Sequence, residues 1–420
     1  MENSVQAKKI LIIGQVWPES RSSAAGKRML QLLDVFQSWQ MQIYFGSTAL
    51  KTPYSDDLSA FAVQEVSIFL NDERTDQMLA ALQPDWVMYD RFMIEEQFGW
   101  RVAAQCPLAM TILDTEDLHF LRYARQEQYK KGSDSLEAHL YTERTKRELA
   151  SIMRCDLTLL ISIFEYNLLK EVFKLPSDIL FVLPFLEPEL TESEQQNWLT
   201  FDEKEDFVFI GNFIHEPNWQ TVLRLKTEIW PLLRKQLPKA KLRIYGAYPS
   251  AKVLQLHQEK EGFLVEGRAE DALAVISKAR VMLAPIAFGA GIKGKFIDAM
   301  RVGTPNVTTS VGVEAMADIE HWCGFVCDEV AEFVAQAVTL YQEEEIWKAK
   351  QQKGVALLRA KYDKAYYIEQ LRKQLLAVDL NLEKYRKDNF LLEVFKHHSA
   401  QSTKYMALWI EEKNKHKKSE

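Results

Sequence analysis

The stretch from Val281 to Thr309 constrains the fold of this 420-residue chain more than any other part of it. It predicts a buried strand over Val281–Pro285, a glycine-rich loop over Phe288–Gly294, a helix over Lys295–Val302 and a second strand over Asn306–Thr309. A loop that joins a strand to a helix start gathers unpaired backbone N–H groups and the positive end of a helix dipole. The loop is therefore a candidate phosphate site in an α/β fold.

Three side chains near the loop fit one composite ligand. Lys293 and Lys295 add positive charge, and Asp298, one turn into the helix, can accept hydrogen bonds from hydroxyl groups. A sugar nucleotide has both parts, a diphosphate and a ribose. A plain tight turn with solvated lysines explains the same residues, and the spacing alone does not separate the two interpretations.

The chain length and the alternation of predicted strands and helices indicate two α/β domains, because 420 residues are more than one domain with a single hydrophobic core usually contains. Short apolar runs alternate with helical segments, such as the one predicted over Ser135–Arg154, which is typical of parallel strands with helical crossovers. The strands predicted for the first domain are Lys8–Gly14, Met41–Ser47, Glu65–Leu70, Trp86–Tyr89, Leu108–Leu113, Leu157–Ile161 and Leu180–Leu183. We expect a first domain over residues 1–185, a linker over 186–206, a second domain over 207–365, and helices with a basic tail over 366–420.

Composition narrows the class of protein. A net charge of −7 argues against a general nucleic-acid binder, which needs a basic face. The four cysteines are scattered, so we expect reduced thiols and no metal site. The chain enters a strand almost at once and has no apolar run near ~18 residues. We therefore expect a cytoplasmic protein without a signal peptide or a membrane span.

A polar cluster follows the strand that ends near Leu113. The phrase LDTEDLHFLR, Leu113–Arg122, holds three carboxylates, one histidine and one arginine. Ligands of open α/β sheets bind beyond the carboxyl ends of the strands, so Asp114, Asp117 and His119 are candidate site residues. An ordinary charged first turn of a helix is the alternative.

The loop after the first strand, Gln15–Ser23, opens on the same crevice in such sheets. Trp17, Ser22, Ser23 and Arg28 are therefore candidates to line a ligand. One glycine near the helix start does not make a dinucleotide fingerprint, and a solvated loop is the alternative.

The central stretch resembles the nucleotide-sugar signature of glycosyltransferase family 4, the glycosyl transferases group 1, and of related enzymes with the GT-B fold. That signature reads E-G-F-G-x-x-x-x-E-A-M-A-x-G-x-P-V-V, and Asp298–Met300 and Gly303–Pro305 match its second half. Ala290 and Asp298 stand where the two glutamates are expected, and the phrase around them is similar to a G-A-G-x-K-x-K variant. The resemblance implies two Rossmann-like, doubly wound domains that face a cleft, with a C-terminal helical extension.

The resemblance also implies roles for residues. Asp114, Asp117 and His119 would face the donor sugar as catalytic residues, and Trp17, Ser22, Ser23 and Arg28 would form a loop on the acceptor side. The donor-binding residues that it implies are Gly211, Asn212, His215, Arg268, Gly289, Ala290, Gly291, Ile292, Lys293, Gly294, Lys295, Asp298, Gly312 and Glu314. On sequence alone, His215 could equally be a surface histidine and Gly312 part of a plain turn.

By this resemblance the protein is expected to move a sugar from a nucleoside-diphosphate sugar to a glycan, polysaccharide or glycoprotein acceptor. Retention of configuration is expected, with no metal and no cofactor besides the donor, and no DxD motif occurs in the chain. A non-catalytic partner subunit of the same fold, or a sugar-nucleotide epimerase, are the alternatives. The basic end Lys413–Lys418 indicates a peripheral membrane or subunit contact, or a solvated tail.

Overall fold

Two parallel sheets organise the protein in a computed structural model that describes residues 7–418, apart from the side chains of 398–403 and 414–418. The first sheet has the strand order β3-β2-β1-β4-β5-β6-β7. Its strands are β1 Lys9–Gly14, β2 Gln42–Ser47, β3 Val63–Glu65, β4 Trp86–Asp90, β5 Met110–Asp114, β6 Leu157–Leu160 and β7 Leu180–Val182. This sheet and the helices packed on it are called the first lobe.

The second lobe is built on a sheet with the order β10-β9-β8-β11-β12-β13. Its strands are β8 Glu205–Ile210, β9 Leu242–Tyr245, β10 Phe263–Gly267, β11 Ala279–Ala284, β12 Asn306–Thr308 and β13 Gly324–Val326. Neighbouring strands in both sheets run parallel, so helices must carry the chain back between them.

Helices cover both sheets. Those that follow strands of the first sheet are α1 Ala24–Ser38, α2 Glu73–Leu82, α3 Phe92–Gln105, α4 His119–Lys131, α5 Glu137–Leu140, α6 Glu143–Arg154 and α7 Ile163–Asn167. A short helix, α8 Glu192–Gln196, lies between the sheets in sequence, and those that follow are α9 Glu216–Arg224, α10 Trp230–Gln236, α11 Ala251–Leu254, α12 Ala272–Lys278, α13 Gly294–Arg301, α14 Ser310–Val313, α15 Val330–Gln342 and α16 Glu344–Lys361. The chain ends with α17 Lys364–Asp379, α18 Leu382–Asp388 and α19 Phe390–Lys418.

The first sheet is buried on both faces, which explains its continuous apolar strands. Along β1, Ile10 and Ile12 join the core cluster that contains α1, whereas Leu11 and Ile13 join the cluster on the opposite face. Because both faces are covered, only the ends of the strands are left to form a ligand site.

The last three helices return to the first lobe. Leu371 of α17 packs into the core cluster beside α1, and Leu392 of α19 packs into the cluster on the other face. The indole N–H of Trp86 donates to Asp379 Oδ1 at 2.8 Å, and Arg386 binds the buried Asp156 at 2.7 Å. The helices α17 and α19, which the sequence analysis set apart as a C-terminal extension, thus pack into the core of the first lobe.

The two segments that connect the lobes pair with each other. The Glu187 N–H donates to the Tyr362 carbonyl at 2.8 Å, and the Lys364 N–H donates to the Glu187 carbonyl at 3.0 Å. The outgoing and returning chains therefore cross between the lobes at one place.

Within the part of the chain that the structure describes, no helix is both long and apolar enough to cross a membrane. The predicted contact at Lys413–Lys418 lies, beyond Lys413, outside the residues whose side chains are described.

Two predicted elements differ from the structure. The strand expected over Glu65–Leu70 ends at Glu65, since the Phe69 N–H is bound by Thr75 Oγ1 at 2.9 Å instead of a strand neighbour. The chain between Ser135 and Arg154 forms two helices, α5 and α6, because Thr142 and Thr145 build a capping box that starts a new helix.

Candidate active site

A cavity of about 530 Å³ lies between the lobes. Its walls come from loops that follow strand ends in both sheets: Gln15 after β1, Arg91 after β4, Gly211 after β8 and Arg268 after β10. Parallel strands of one sheet have all their carboxyl ends on the same side. The carboxyl ends of the strands of both sheets therefore face each other across this cavity.

The glycine loop between β11 and α13 forms one wall of the cavity and touches the opposite lobe. Gly291 has a φ of +64°, and a Cβ added there would lie 2.9 Å from the Cβ of Asp117 and 3.2 Å from Cγ2 of Ile161. Glycine is thus required both by the backbone conformation and by the close approach of the first lobe.

Lys293 and Lys295 are half-buried beside this loop. The Lys293 ammonium donates to the Gly291 carbonyl at 2.9 Å, and the Lys295 ammonium donates to Asn218 Oδ1 at 2.8 Å and lies 4.2 Å from the centre of the Phe209 ring. Burial lowers the pKa of Lys293 to about 8 and, together with the charge of Lys293, lowers the pKa of Lys295 to about 7. A bound anion would stabilise both ammonium groups.

Asp117 and His119 face the loop from the start of α4. Asp117 binds Arg122 at 2.9 Å, and its Oδ1 lies 3.7 Å from Nε2 of His119. Burial lowers the pKa of His119 to about 3, in spite of the nearby Asp117. The imidazole is therefore neutral near pH 7 and can donate or accept a hydrogen bond without carrying charge.

Side chains also bridge the lobes at the start of α1. Arg268 Nε donates to Ser22 Oγ at 3.3 Å, and Asn212 Nδ2 donates to the Ser22 carbonyl at 3.2 Å. Lys27 binds Asp298 at 2.9 Å, so the expected hydroxyl acceptor already has a cationic partner from the first lobe.

The cavity brings together most of the residues expected from the sequence. Those that line it are Ser22, Ser23, Asp117, His119, Gly211, Asn212, His215, Arg268, Gly289, Ala290, Gly291, Ile292, Lys293, Gly294, Lys295 and Asp298. Burial lowers the pKa of His215 to about 4, which also leaves this imidazole uncharged.

Asp114 and Arg28 do not line the cavity. This corrects the expectation that Asp114 is a catalytic residue and that Arg28 belongs to the loop on the acceptor side. Asp114 is fully buried and accepts from Nη2 of Arg28 at 2.9 Å, and Arg28 also donates to the carbonyl of Leu183 at 2.7 Å. The pair joins β5 to α1, and neither residue is among those that line the cavity.

Three further residues also lie outside the cavity lining. The indole N–H of Trp17 donates to the Ala49 carbonyl at 2.8 Å, and the ring packs in the first lobe's core. Gly312 is packed so closely that an added Cβ would lie 1.9 Å from Oγ1 of Thr308. Glu314 is held by Arg125 and serves as a contact between the lobes.

The sequence analysis missed Arg91 and Glu116, which line the cavity after β4 and β5. Both have left-handed backbones although neither is glycine, with φ of +75° for Arg91 and +61° for Glu116. Burial, reinforced by Asp114, raises the pKa of Glu116 well above its usual range. The strand-end rule that selected Asp114 could have found both.

Comparisons with known proteins agree with this fold. The family model for glycosyl transferases group 1 matches residues 204–343, a range that contains the whole second sheet. A comparison with curated proteins found no match.

Solved structures share the fold across both lobes. The structure of HepE from Anabaena in complex with UDP-glucose is 13% identical, with a TM-score of 0.66 over 88% of this chain and 99% of that one. Sucrose-phosphate synthase from Thermosynechococcus elongatus is 15% identical, with a TM-score of 0.65 over 88% of this chain and 100% of that one. The GT-B fold and the resemblance to glycosyl transferases group 1 are thus confirmed, whereas the variant subgroup stays a prediction.

Proposed function

We propose that this chain, a GT-B-fold protein whose second lobe matches glycosyl transferases group 1, is a glycosyltransferase that uses a nucleoside-diphosphate sugar. One observation carries the proposal: the glycine loop with Lys293 and Lys295 lies directly against Asp117 in the cavity between the lobes. Such a site can hold a diphosphate on one side and a sugar on the other.

The second lobe would stabilise the leaving diphosphate. Negative charge builds on its oxygens as the bond to the sugar breaks, and backbone N–H groups at the start of α13 with two ammonium groups would meet that charge. HepE, which shares the fold, has been solved with UDP and with UDP-glucose, which supports a uridine nucleotide as the first donor to test.

The first lobe would orient the sugar and receive the acceptor. Asp117, held by Arg122, and the neutral His119 could bind sugar hydroxyl groups next to the reacting carbon. We assign the acceptor, a glycan, polysaccharide or protein glycan, to the side of the cavity near Ser22 and Ser23. Retention of configuration rests on the family resemblance.

Metal-independent transfer is part of the proposal. Lys293, Lys295 and Arg268 are cations of the chain itself that can neutralise the diphosphate, so no added ion is required for that task. Full turnover after treatment with EDTA would support this assignment, and loss of turnover restored by Mg²⁺ would contradict it.

A thermal-shift screen against nucleoside diphosphates and their sugars tests donor binding, since a ligand that binds the native state raises the melting temperature. The matching diphosphate should stabilise the wild type, and Lys293→Met or Lys295→Met should abolish most of that shift. Lys252→Met, at an exposed lysine outside the cavity, is the control and should leave the shift unchanged. No shift with any nucleotide would contradict the proposal.

A non-catalytic partner subunit remains the second candidate because of Ala290. This residue stands where a glutamate is expected and packs against the first lobe's core instead. Slow release of free sugar from the donor would favour the transferase, interconversion of donors an epimerase, and donor binding without either reaction the non-catalytic subunit. Proton NMR of a transfer product would show whether configuration is retained.

A further inference from the structure

The start of α4, which carries His119 and follows directly on Asp117, is held by carboxylates from distant helices. Leu118 occupies the N-cap position and has no side-chain group to bind the free N–H groups of the helix start. Those N–H groups are satisfied by Glu148 of α6 and Glu165 of α7.

The two glutamates bind three consecutive backbone N–H groups. Glu148 accepts from His119 N–H through Oε1 at 3.0 Å and from Phe120 N–H through Oε2 at 2.7 Å. Glu165 accepts from Leu118 N–H through Oε1 at 2.9 Å, and its Oε2 accepts from the Ser162 hydroxyl at 3.0 Å. Glu148 therefore uses both oxygens on the helix, whereas Glu165 uses one.

Both carboxyl groups are buried, and among the described residues neither forms an ion pair. Burial raises the pKa of Glu148 to about 8, and Asp117 of the site and Glu165 of α7 add to the rise, while the two N–H groups oppose it. Burial and Asp117 raise the pKa of Glu165 to about 7, against the Leu118 N–H, the Ser162 hydroxyl and Lys293 of the second lobe. Asp117 and Lys293 are thus the charged side chains outside the pair that act most strongly on it.

We propose that Glu148 and Glu165 are positioning residues that fix Asp117 and His119 against the glycine loop, and that Glu148 must be ionised to do so. A carboxylate accepts strongly from both N–H groups, whereas protonation turns one of its oxygens into a hydroxyl group, which is a donor and a much weaker acceptor. The turn should be looser when Glu148 is protonated, so turnover should rise with pH as this group ionises. This part rests on the proposed function.

The matched substitutions Glu148→Gln and Glu165→Gln test the assignment. The glutamine amide of E148Q would place an N–H against a backbone N–H, whereas in E165Q the Ser162 hydroxyl can rotate to accept from the new amide. We expect E148Q to lower kcat for donor turnover at least tenfold and E165Q only a few-fold. The thermal shift caused by the nucleoside diphosphate should be unchanged in both.

The pH profile separates positioning from a loss of fold. With saturating donor, the wild-type kcat should increase with pH, with a midpoint near pH 8 where Glu148 ionises. This increase should be absent from E148Q. Deprotonation of Lys293 and Lys295 at high pH should weaken donor binding while ionisation of Glu148 increases kcat. KM for the donor is therefore measured separately from kcat at each pH. Wild-type turnover in E148Q with the wild-type profile would overturn the proposal.

Hydrogen exchange decides the question without any turnover. After correction for the intrinsic rate, the N–H groups of His119 and Phe120 in the wild type should become more protected between pH 6.5 and pH 9, and about tenfold less protected in E148Q at high pH. Unchanged protection across this range would overturn the positioning role even if no donor were found. Failure of the proposed function alone would leave this protection pattern intact.

Discussion

Arg125 of the first lobe holds Glu314 of the second in a two-pronged ion pair. Its Nη1 and Nη2 donate to the two carboxylate oxygens at 2.7 and 2.6 Å, and Nη1 also donates to the Gly289 carbonyl at 2.6 Å. The pair thus joins α4 to the glycine loop and to the segment after α14, beside the cavity.

Removing this pair should loosen the lobes. Hydrogen bonds to charged groups contribute about 1.5–3 kcal/mol each, so Arg125→Gln and Glu314→Gln, which each weaken at least two of them, should each lower the free energy of unfolding by that amount or more. In a double-mutant cycle by denaturant unfolding, the double variant should lose less than the sum of the single variants. Additive losses would show that the two side chains do not interact in solution.

Gly291→Ala should abolish donor binding. The alanine would meet both a left-handed backbone and the Cβ of Asp117 at 2.9 Å, so the loop must move away from the first lobe. Gly132→Ala is the matched control, since Gly132 has a φ of +58° with no atom within 4 Å of an added Cβ. Both variants should lose about 1–2 kcal/mol from the backbone alone, but only Gly291→Ala should lose the thermal shift with nucleoside diphosphate.

Binding of the diphosphate should take up protons. The pKa values of Lys293 and Lys295 are lowered to about 8 and about 7 in the free protein, and a bound anion favours their charged forms. Affinity should therefore fall as pH rises through 7 to 9, by up to about tenfold per pH unit for each proton required. Calorimetry in buffers of different ionisation enthalpy measures the uptake, and Lys295→Met should reduce it. Equal heats in all buffers would contradict the prediction.

Asp114→Asn should destabilise the fold, whereas Asp117→Asn should impair turnover. The first change leaves Arg28 charged, buried and without its ionic partner, which costs about 3–5 kcal/mol. The second breaks a partly exposed pair with Arg122, worth about 1 kcal/mol or less. Denaturant midpoints and donor turnover, measured on both variants, separate the roles. Selective inactivation of a stable Asp114→Asn protein would restore Asp114 to the catalytic set.

The positions of most strands along the chain and the position of the glycine loop follow from local patterns. Apolar runs such as β1 and the strand–loop–helix unit at Gly291 carry their own signals, so the sequence predicts both. Helix breaks are harder to predict, because α17 and α18 are separated at Leu380 and Asn381 within a continuous apolar periodicity.

Contacts between distant residues carry no such signal. Asp114 follows the same strand-end rule as Asp117, yet it turns inward because Arg28, 86 positions earlier, is buried beside it. The caps of α4 come from Glu148 and Glu165, which the sequence places in other helices. These partners are set by tertiary packing, so residue type and position alone could not separate site residues from structural ones.

The return of α17 and α19 to the first lobe has a consequence for synthesis. Trp86 and Asp156 emerge from the ribosome early, but Asp379 and Arg386, which satisfy them, are made near the end. The second lobe can therefore fold before the first lobe is complete, because the first lobe needs α17, α18 and α19. Nascent chains halted before Lys364 should therefore expose an unfinished amino-terminal half to proteases and chaperones.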